Sequence, residues 1–336
     1  MRLLATVWVL LILSDPVSCA ADWPSTKAFF EAEDRLRELT AKLPEVEQTL
    51  SNDPEGLLGA AILYDHYSIT PELEKRSDRL YRKVIDMEPQ NKVAFLRFAL
   101  HRLVEFTAHR QRVLETLELL RQCALSNNYT GVVDLDESHE LFGWLREGPD
   151  QHRVEIRDFN EARSRIIEKF DANLPTVVSV LAKGRALDPN NAAYDYLEAS
   201  LDFDFGKNEV ALLEVEQGAN KPRLESYVSQ MVSAQKRVLQ AAGFPEKDRE
   251  ILDKRGQEGV LFLEDEKIFK MAEEYEAKHD LANATRVHQT MLKAADQLRQ
   301  EHVEGRPGGK RGDNTLSRHI EAKARQSLAR IREGPK

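Results

Sequence analysis

Apolar residues recur at spacings of three and four along most of this 336-residue chain. The pattern is clear at 93–125, 153–170, 224–239 and 268–298, where charged residues fill the intervening positions. This period places apolar side chains on one face of an α-helix, whereas a half-buried strand alternates every second residue. Only 132–135 favours a strand. The spacing therefore predicts an all-α fold, built as a solenoid of helical hairpins or as a helical bundle.

The composition narrows the possible fold and function classes further. The chain has only 16 Gly and 13 Pro, fewer turn residues than a many-stranded β-sandwich or propeller requires. Its net charge is −9, with acidic and basic residues interspersed. Because nucleic-acid binding depends on cations that neutralise phosphates, we expect no nucleic-acid partner.

Two similar segments interrupt the helical pattern. Residues 85–91 read Ile-Asp-Met-Glu-Pro-Gln-Asn and residues 186–191 read Ala-Leu-Asp-Pro-Asn-Asn, and each is followed by an aromatic residue, Phe95 or Tyr194. Proline lacks a backbone N–H and disfavours helix in the residue before it. Each segment therefore predicts one helix that stops at the acidic residue and a second helix that starts after the asparagine.

A third stretch has small, aromatic and acidic residues at comparable positions: Ala272, Tyr275, Asp280 and Ala284. Together the three segments resemble the tetratricopeptide repeat, a helical hairpin of about 34 residues whose neighbours are joined by an Asp-Pro-x-Asn turn. Recognisable pieces cover about three units, and Gly184 and Glu198 depart from the usual residues of the repeat. A generic helical bundle that uses proline turns is the alternative.

The resemblance implies a function as well as a fold. Tetratricopeptide-like hairpins stack into a curved array whose concave face holds an extended peptide or a partner helix. The positions that would shape this face are Phe95, Arg102, Tyr194 and Tyr275. The chain is accordingly interpreted as a non-catalytic scaffold that binds a protein or peptide, and no cofactor is expected.

The first 20 residues have the form of a secretory signal peptide. Arg2 precedes an apolar run at Leu3–Leu13, and small residues lead to a cleavage position after Ala20. The run is shorter than the roughly 20 apolar residues that cross a bilayer, and no other stretch predicts a transmembrane helix. We expect an exported protein, whether periplasmic, envelope-associated or extracellular. In the alternative, Cys19 is the lipid-bearing residue of a lipoprotein signal.

The glycine-rich and basic segments suggest how the chain is divided. The last helix follows a flexible linker and is rich in arginine, so we expect an exposed or loosely docked tail. The predicted regions are a signal peptide at 1–20, an N-terminal helical region at 21–125, a connecting segment at 126–150, a C-terminal helical-repeat region at 151–303, a linker at 304–313 and a basic terminal helix at 314–336.

One helix face carries candidate metal ligands. His101, Glu105 and His109 are spaced by four residues, and imidazole and carboxylate groups bind divalent metals. They span about 12 Å at 1.5 Å per residue, which is too far for one ion, so a solvated polar face is expected. Two other function classes stay open: a lipid-anchored structural or assembly component of the cell envelope, and an enzyme whose active site forms only in three dimensions.

Overall fold

A computed structural model describes residues 41–67, 71–126, 167–168, 171–246, 265–304 and 315–333. All of the secondary-structure elements in these ranges are helices, and the β-type pairing in them is an isolated bridge between Asn191 and Arg223. The prediction of an all-α fold is confirmed for these residues. The signal peptide with Cys19, the candidate strand at 132–135 and the linker at 305–313 lie outside the described residues.

The helices are named here in chain order. A helical segment at 41–49 precedes them. They are α1 (Pro54–Tyr67), α2 (Pro71–Met87), α3 (Lys92–Ser126), α4 (Leu174–Leu187), α5 (Ala193–Asp204), α6 (Asn208–Ala219), α7 (Val228–Ala241), α8 (Asp265–Ala277), α9 (Leu281–Glu304) and α10 (Thr315–Glu333).

Both proline turns fold as predicted, with α2 and α4 each ending just before the acidic residue. Asn91 accepts a hydrogen bond from the backbone N–H of Ala94 at 2.9 Å, and Asn191 accepts one from the backbone N–H of Ala193 at 3.1 Å. These bonds satisfy amide donors that have no partner in the first turn of a helix. The asparagines therefore start the second helix of each pair.

Helix α1 is the most enclosed of the N-terminal helices. Its residues 57–64 are all buried, as expected for a helix that is apolar around its whole circumference. It packs against α2 on one side and against α7 on another. A Cβ atom at Gly59 would lie 2.0 Å from the carbonyl oxygen of Ala234, so only glycine allows α1 and α7 to approach this closely.

Contacts between helices are both sequential and long-range. Neighbours in sequence pack together in three groups, α1–α3, α4–α6 and α8–α10, while α3 also contacts α4 and α5, and α6 contacts α9. One continuous hydrophobic core runs through these groups.

The basic terminal helix differs from the expected loose tail. Helix α10 packs along α9 and buries Ile320 and Ala324 completely. Apolar and small residues at spacings of three and four give this helix a buried face despite its many arginines.

Candidate functional site

The two proline turns, which are distant in sequence, lie side by side. The ammonium of Lys92, directly after the first turn, is 3.5 Å from the carboxylate of Asp188 in the second turn. The hydroxyl of Tyr194 donates to the backbone carbonyl of Lys92 at 3.4 Å. Helices α3, α4 and α5 therefore meet at their turn ends, and the hairpins that contain them are neighbours.

Asp188 is the charged centre of this contact. Its side chain is only 2% exposed, accepts a hydrogen bond from the Tyr227 hydroxyl and pairs with Arg223 at 2.5 Å. Burial alone would raise the pKa of Asp188, but the Tyr227 hydrogen bond and the charges of Arg223 and Lys92 outweigh it and lower this pKa. The carboxylate is thus held in its ionised form.

Asn191 fixes a second chain segment on the same turn. Its fully buried side chain accepts from the backbone N–H of Glu225 at 2.9 Å and donates to the carbonyl of Glu225 at 2.9 Å. The neighbouring Ala192 N–H donates to the carbonyl of Arg223 at 2.9 Å. We call Lys92, Asp188, Asn191, Arg223 and Tyr227 the turn junction.

A second polar cluster is centred on Asp65, near the end of α1. Its carboxylate accepts hydrogen bonds from the hydroxyls of Ser77 and of Tyr81, the latter at 2.6 Å, and lies 2.8 Å from Nδ1 of His101. The guanidinium of Arg97 is 3.8 Å away. The cluster joins α1, α2 and α3, and we call these five residues the Asp65 cluster.

The ionisation of His101 is set by its surroundings. Burial lowers its pKa, but the hydrogen bond and charge of Asp65, together with the charges of Glu105 and Asp78, raise the pKa above its ordinary value. Nε2 of His101 is buried without a hydrogen-bond partner among the described residues and lies 3.8 Å from Glu105. The protonated imidazole is therefore favoured between two carboxylates.

The Asp65 cluster has part of the geometry of a general base. A carboxylate that orients a histidine through Nδ1 is a common catalytic arrangement. Here, however, both neighbouring hydroxyls, those of Ser77 and Tyr81, donate to Asp65 rather than to His101. Both hydroxyls belong to fully buried side chains, so a substrate could not reach them in this arrangement, and the hydrogen bonds of the cluster join three helices.

The four residues predicted to bind a partner lie in different surroundings. Tyr194 is fully buried and Phe95 nearly so, within the hydrophobic core. Tyr275 is partly exposed, and its hydroxyl donates to Glu209 at 2.5 Å. Arg102 is also partly exposed. Phe95 and Arg102 stand on α3, Tyr194 on α5 and Tyr275 on α8, and of these four residues only Arg102 and Tyr275 reach solvent.

Arg102 lies at the outer edge of the Asp65 cluster. Its guanidinium is 2.7 Å from Asp78 and 3.1 Å from Glu105. Arg102 and Arg82 both lie over the ring of Phe98, at 5.6 Å and 5.4 Å from its centroid. We call the surface formed by Asp78, Arg82, Arg102 and Glu105 the α2–α3 edge.

Sequence reasoning missed Asp65, Arg223 and Tyr227. Asp65 directly follows the apolar run of α1, where an acidic residue needs buried partners, and this is the signal that could have found it. Arg223 and Tyr227 lie between helices and carry no motif.

Of the candidate metal ligands, the side chain of His109 lies outside the described residues. Among the described residues, no group of three or more His, Cys, Asp or Glu side chains is arranged to hold a metal ion. Within the same part of the chain, none of the helices combines the length and apolar character required to cross a bilayer.

Comparisons with protein-family models, with curated proteins and with solved structures give no match to this chain. Any functional assignment therefore depends on the geometry and chemistry of its own residues.

Proposed function

We propose that this chain is an exported, non-catalytic helical-repeat scaffold that binds a protein or peptide. The observation that carries the proposal is the side-by-side placement of the two proline turns through Lys92, Asp188 and Tyr194. Helical-repeat binding proteins are built from hairpins that stack with like ends together. The side-by-side placement of the two similar turns supports stacking of hairpins in this chain as well.

The turn junction gives such a scaffold a fixed shape. Asp188 and Asn191 hold the 223–227 segment through buried hydrogen bonds and an ion pair. Buried polar contacts that are fully satisfied restrict the relative orientation of the elements they join. A rigid arrangement of helices loses little conformational entropy when a partner binds.

The α2–α3 edge is the surface we propose for the partner. Tyr194 on α5 is fully buried, so it belongs to the core rather than to a surface that contacts a ligand. Arg82 is 52% exposed and Arg102 is partly exposed, and the ring of Phe98 holds both guanidiniums. Arginines held on an aromatic ring are well suited to bind carboxylates or backbone carbonyls of a peptide.

Cross-linked capture from the native compartment tests this surface. The Arg82→Gln, Arg102→Gln double variant should lose partners that the unmodified protein captures, and capture should weaken as salt is raised. A Lys183→Gln, Lys270→Gln variant removes the same charge from exposed positions on α4 and α8 and should retain the partners. Equal capture by the two variants, with unchanged circular dichroism, would contradict the proposed surface.

Export is tested separately by the intact mass of the mature chain. Cleavage after Ala20 should give the mass of residues 21–336. A mass that corresponds to a chain starting at Cys19 with added acyl groups would instead favour the lipid-anchored envelope component. Retention of residues 1–20 would contradict export by a cleaved signal.

A further inference from the structure

Helix α10 exposes a row of three arginines outside its buried face. Its buried residues, Ser317, Ile320, Ala324 and Ser327, are spaced by three and four. The outward face carries Arg318, Arg325 and Arg332, with the exposed residues Ala322 and Ala329 between them. A spacing of seven residues is close to two helical turns, so successive arginines lie about 10 Å apart along one line. We call these three residues the arginine stripe.

The stripe stays accessible although the helix is docked. Arg325 is 70% exposed, and its ion pair is with Glu321, one turn earlier on the same helix, at 2.6 Å. Two other cations of α10 join it to α8: Arg330 pairs with Glu276 at 2.9 Å, and Lys323 lies over the ring of Phe269 at 4.4 Å. These contacts fix the helix while its outer face remains in solvent.

Positive charge is concentrated in the part of the sequence that contains this helix. Residues 305–336 contain nine Lys and Arg against three Asp and Glu, a net charge of +6, within a chain of net charge −9. The preceding 304 residues therefore carry −15. A molecule with this asymmetry orients its basic end toward an anionic surface and its acidic body away from it.

We propose that the arginine stripe docks this protein on an anionic lipid surface. The charge segregation and the linear outward arrangement of the guanidiniums match a flat layer of anionic headgroups, which attract basic side chains without a pocket. Recognition of a peptide uses pockets or grooves for its side chains, whereas the arginines of the stripe stand on the exposed side of a single helix, with exposed His319, Ala322, Gln326 and Ala329 between them. The proposal does not depend on partner binding at the α2–α3 edge.

Vesicle co-sedimentation of the full chain tests the proposal. The protein should bind vesicles of phosphatidylcholine that contain phosphatidylglycerol, and binding to vesicles of phosphatidylcholine alone gives the uncharged reference. Because the contact is electrostatic, binding should fall steeply between ~0.05 M and ~0.5 M salt. Each arginine near an anionic surface contributes about fivefold to partitioning, so the Arg318→Gln, Arg325→Gln, Arg332→Gln variant should bind roughly 100-fold more weakly.

A matched control separates position from total charge. The Lys83→Gln, Lys183→Gln, Lys270→Gln variant removes three exposed cations from α2, α4 and α8 and should keep nearly all of the binding. Equal losses in the two variants would overturn the proposal, as would binding of the unmodified chain to soluble polyglutamate but not to anionic vesicles. Because the stripe side chains are exposed, both variants should give the helical circular dichroism of the unmodified chain.

Discussion

The two proline turns have similar sequences but different roles. In the first turn, Glu88 is exposed and accepts a hydrogen bond at 2.8 Å from the side chain of Asn91, so the polar contacts of the turn stay local. In the second turn, Asp188 and Asn191 are buried beneath the 223–227 segment. The same motif is therefore a local helix connection at one site and a tertiary junction at the other. The neighbouring chain, rather than the motif, determines which.

The two turns also differ in how the adjoining helices fill space. Gly184 precedes the second turn by four residues, and a Cβ atom there would lie 2.3 Å from the ring of Tyr194. The corresponding positions around the first turn hold Val84 and Ala94, both fully buried. The second hairpin pairs the small Gly184 with the large Tyr194, whereas the first pairs the larger Val84 with the small Ala94. Each pair therefore fills the space between the two helices of its own hairpin.

Replacement of the acidic residue should give the largest difference in stability between the two turns. Asp188→Ala leaves the Tyr227 hydroxyl without its acceptor and removes the carboxylate that Arg223 and Lys92 share. Because the side chains of Arg223 and Lys92 are 37% and 44% exposed, solvent compensates part of the loss, and we expect a cost of about 3 kcal/mol. Glu88→Ala, at an exposed position, should change the free energy of unfolding by less than about 0.5 kcal/mol. Urea denaturation of both variants measures the difference. Equal midpoints would mean that the turn junction does not stabilise the fold.

The asparagines should show a smaller contrast. Asn191→Ala removes three hydrogen bonds and leaves backbone groups of Glu225 without partners, at an expected cost of about 3 kcal/mol. Asn91→Ala removes one helix-starting bond and should cost about 1 kcal/mol. The same denaturation measurement applies, and hydrogen exchange at Glu225 should accelerate only in the Asn191 variant. Unchanged exchange there would contradict the role assigned to Asn191.

The contact between Gly184 and Tyr194 can be tested by asking whether substitutions at the two positions have additive effects on stability. Gly184→Ala should destabilise the protein by about 2 kcal/mol, because the new methyl group meets the Tyr194 ring. In a Tyr194→Leu background the same substitution should cost clearly less, and a double-mutant cycle of unfolding free energies measures the difference. Strictly additive effects would show that the two positions do not share space.

The smallest expected contrast lies in the pH dependence of unfolding. His101 lies on α3, in the first hairpin, and its pKa is raised in the folded protein. Its contribution to the stability of the fold is therefore fully present below the unfolded pKa of about 6.5 and is lost as pH rises through the folded pKa. Asp188 has a lowered pKa, so its contribution is present above about pH 3.9 and is lost as pH falls. When the urea midpoint of unfolding is measured as a function of pH, the unmodified protein should lose stability at alkaline pH, and the His101→Gln variant should not show this decline. An unchanged alkaline decline in that variant would contradict the role of His101.

Local features of this fold were accessible from the sequence, whereas the long-range ones were not. The prolines at 89 and 189 predicted both turns, because their effect acts on adjacent residues. The burial of Tyr194 and Asn191 depends on segments that are far away in sequence, and no local pattern encodes which of two similar turns will be covered. Asp65 likewise acquires its role only when Ser77, Tyr81 and His101 reach it from two other helices.

The close approach of α1 and α7 has a consequence for the order in which the chain folds. Ser233 on α7 donates to Glu55 on α1, and these residues are 178 positions apart. In an array where each repeat contacts only its neighbours, folding can begin at one end and spread. Here the first helices cannot complete their packing until the chain has been made as far as α7. Loop closure over this distance is slow, so truncation before α7 should leave an early intermediate with an uncovered apolar helix that is prone to aggregate.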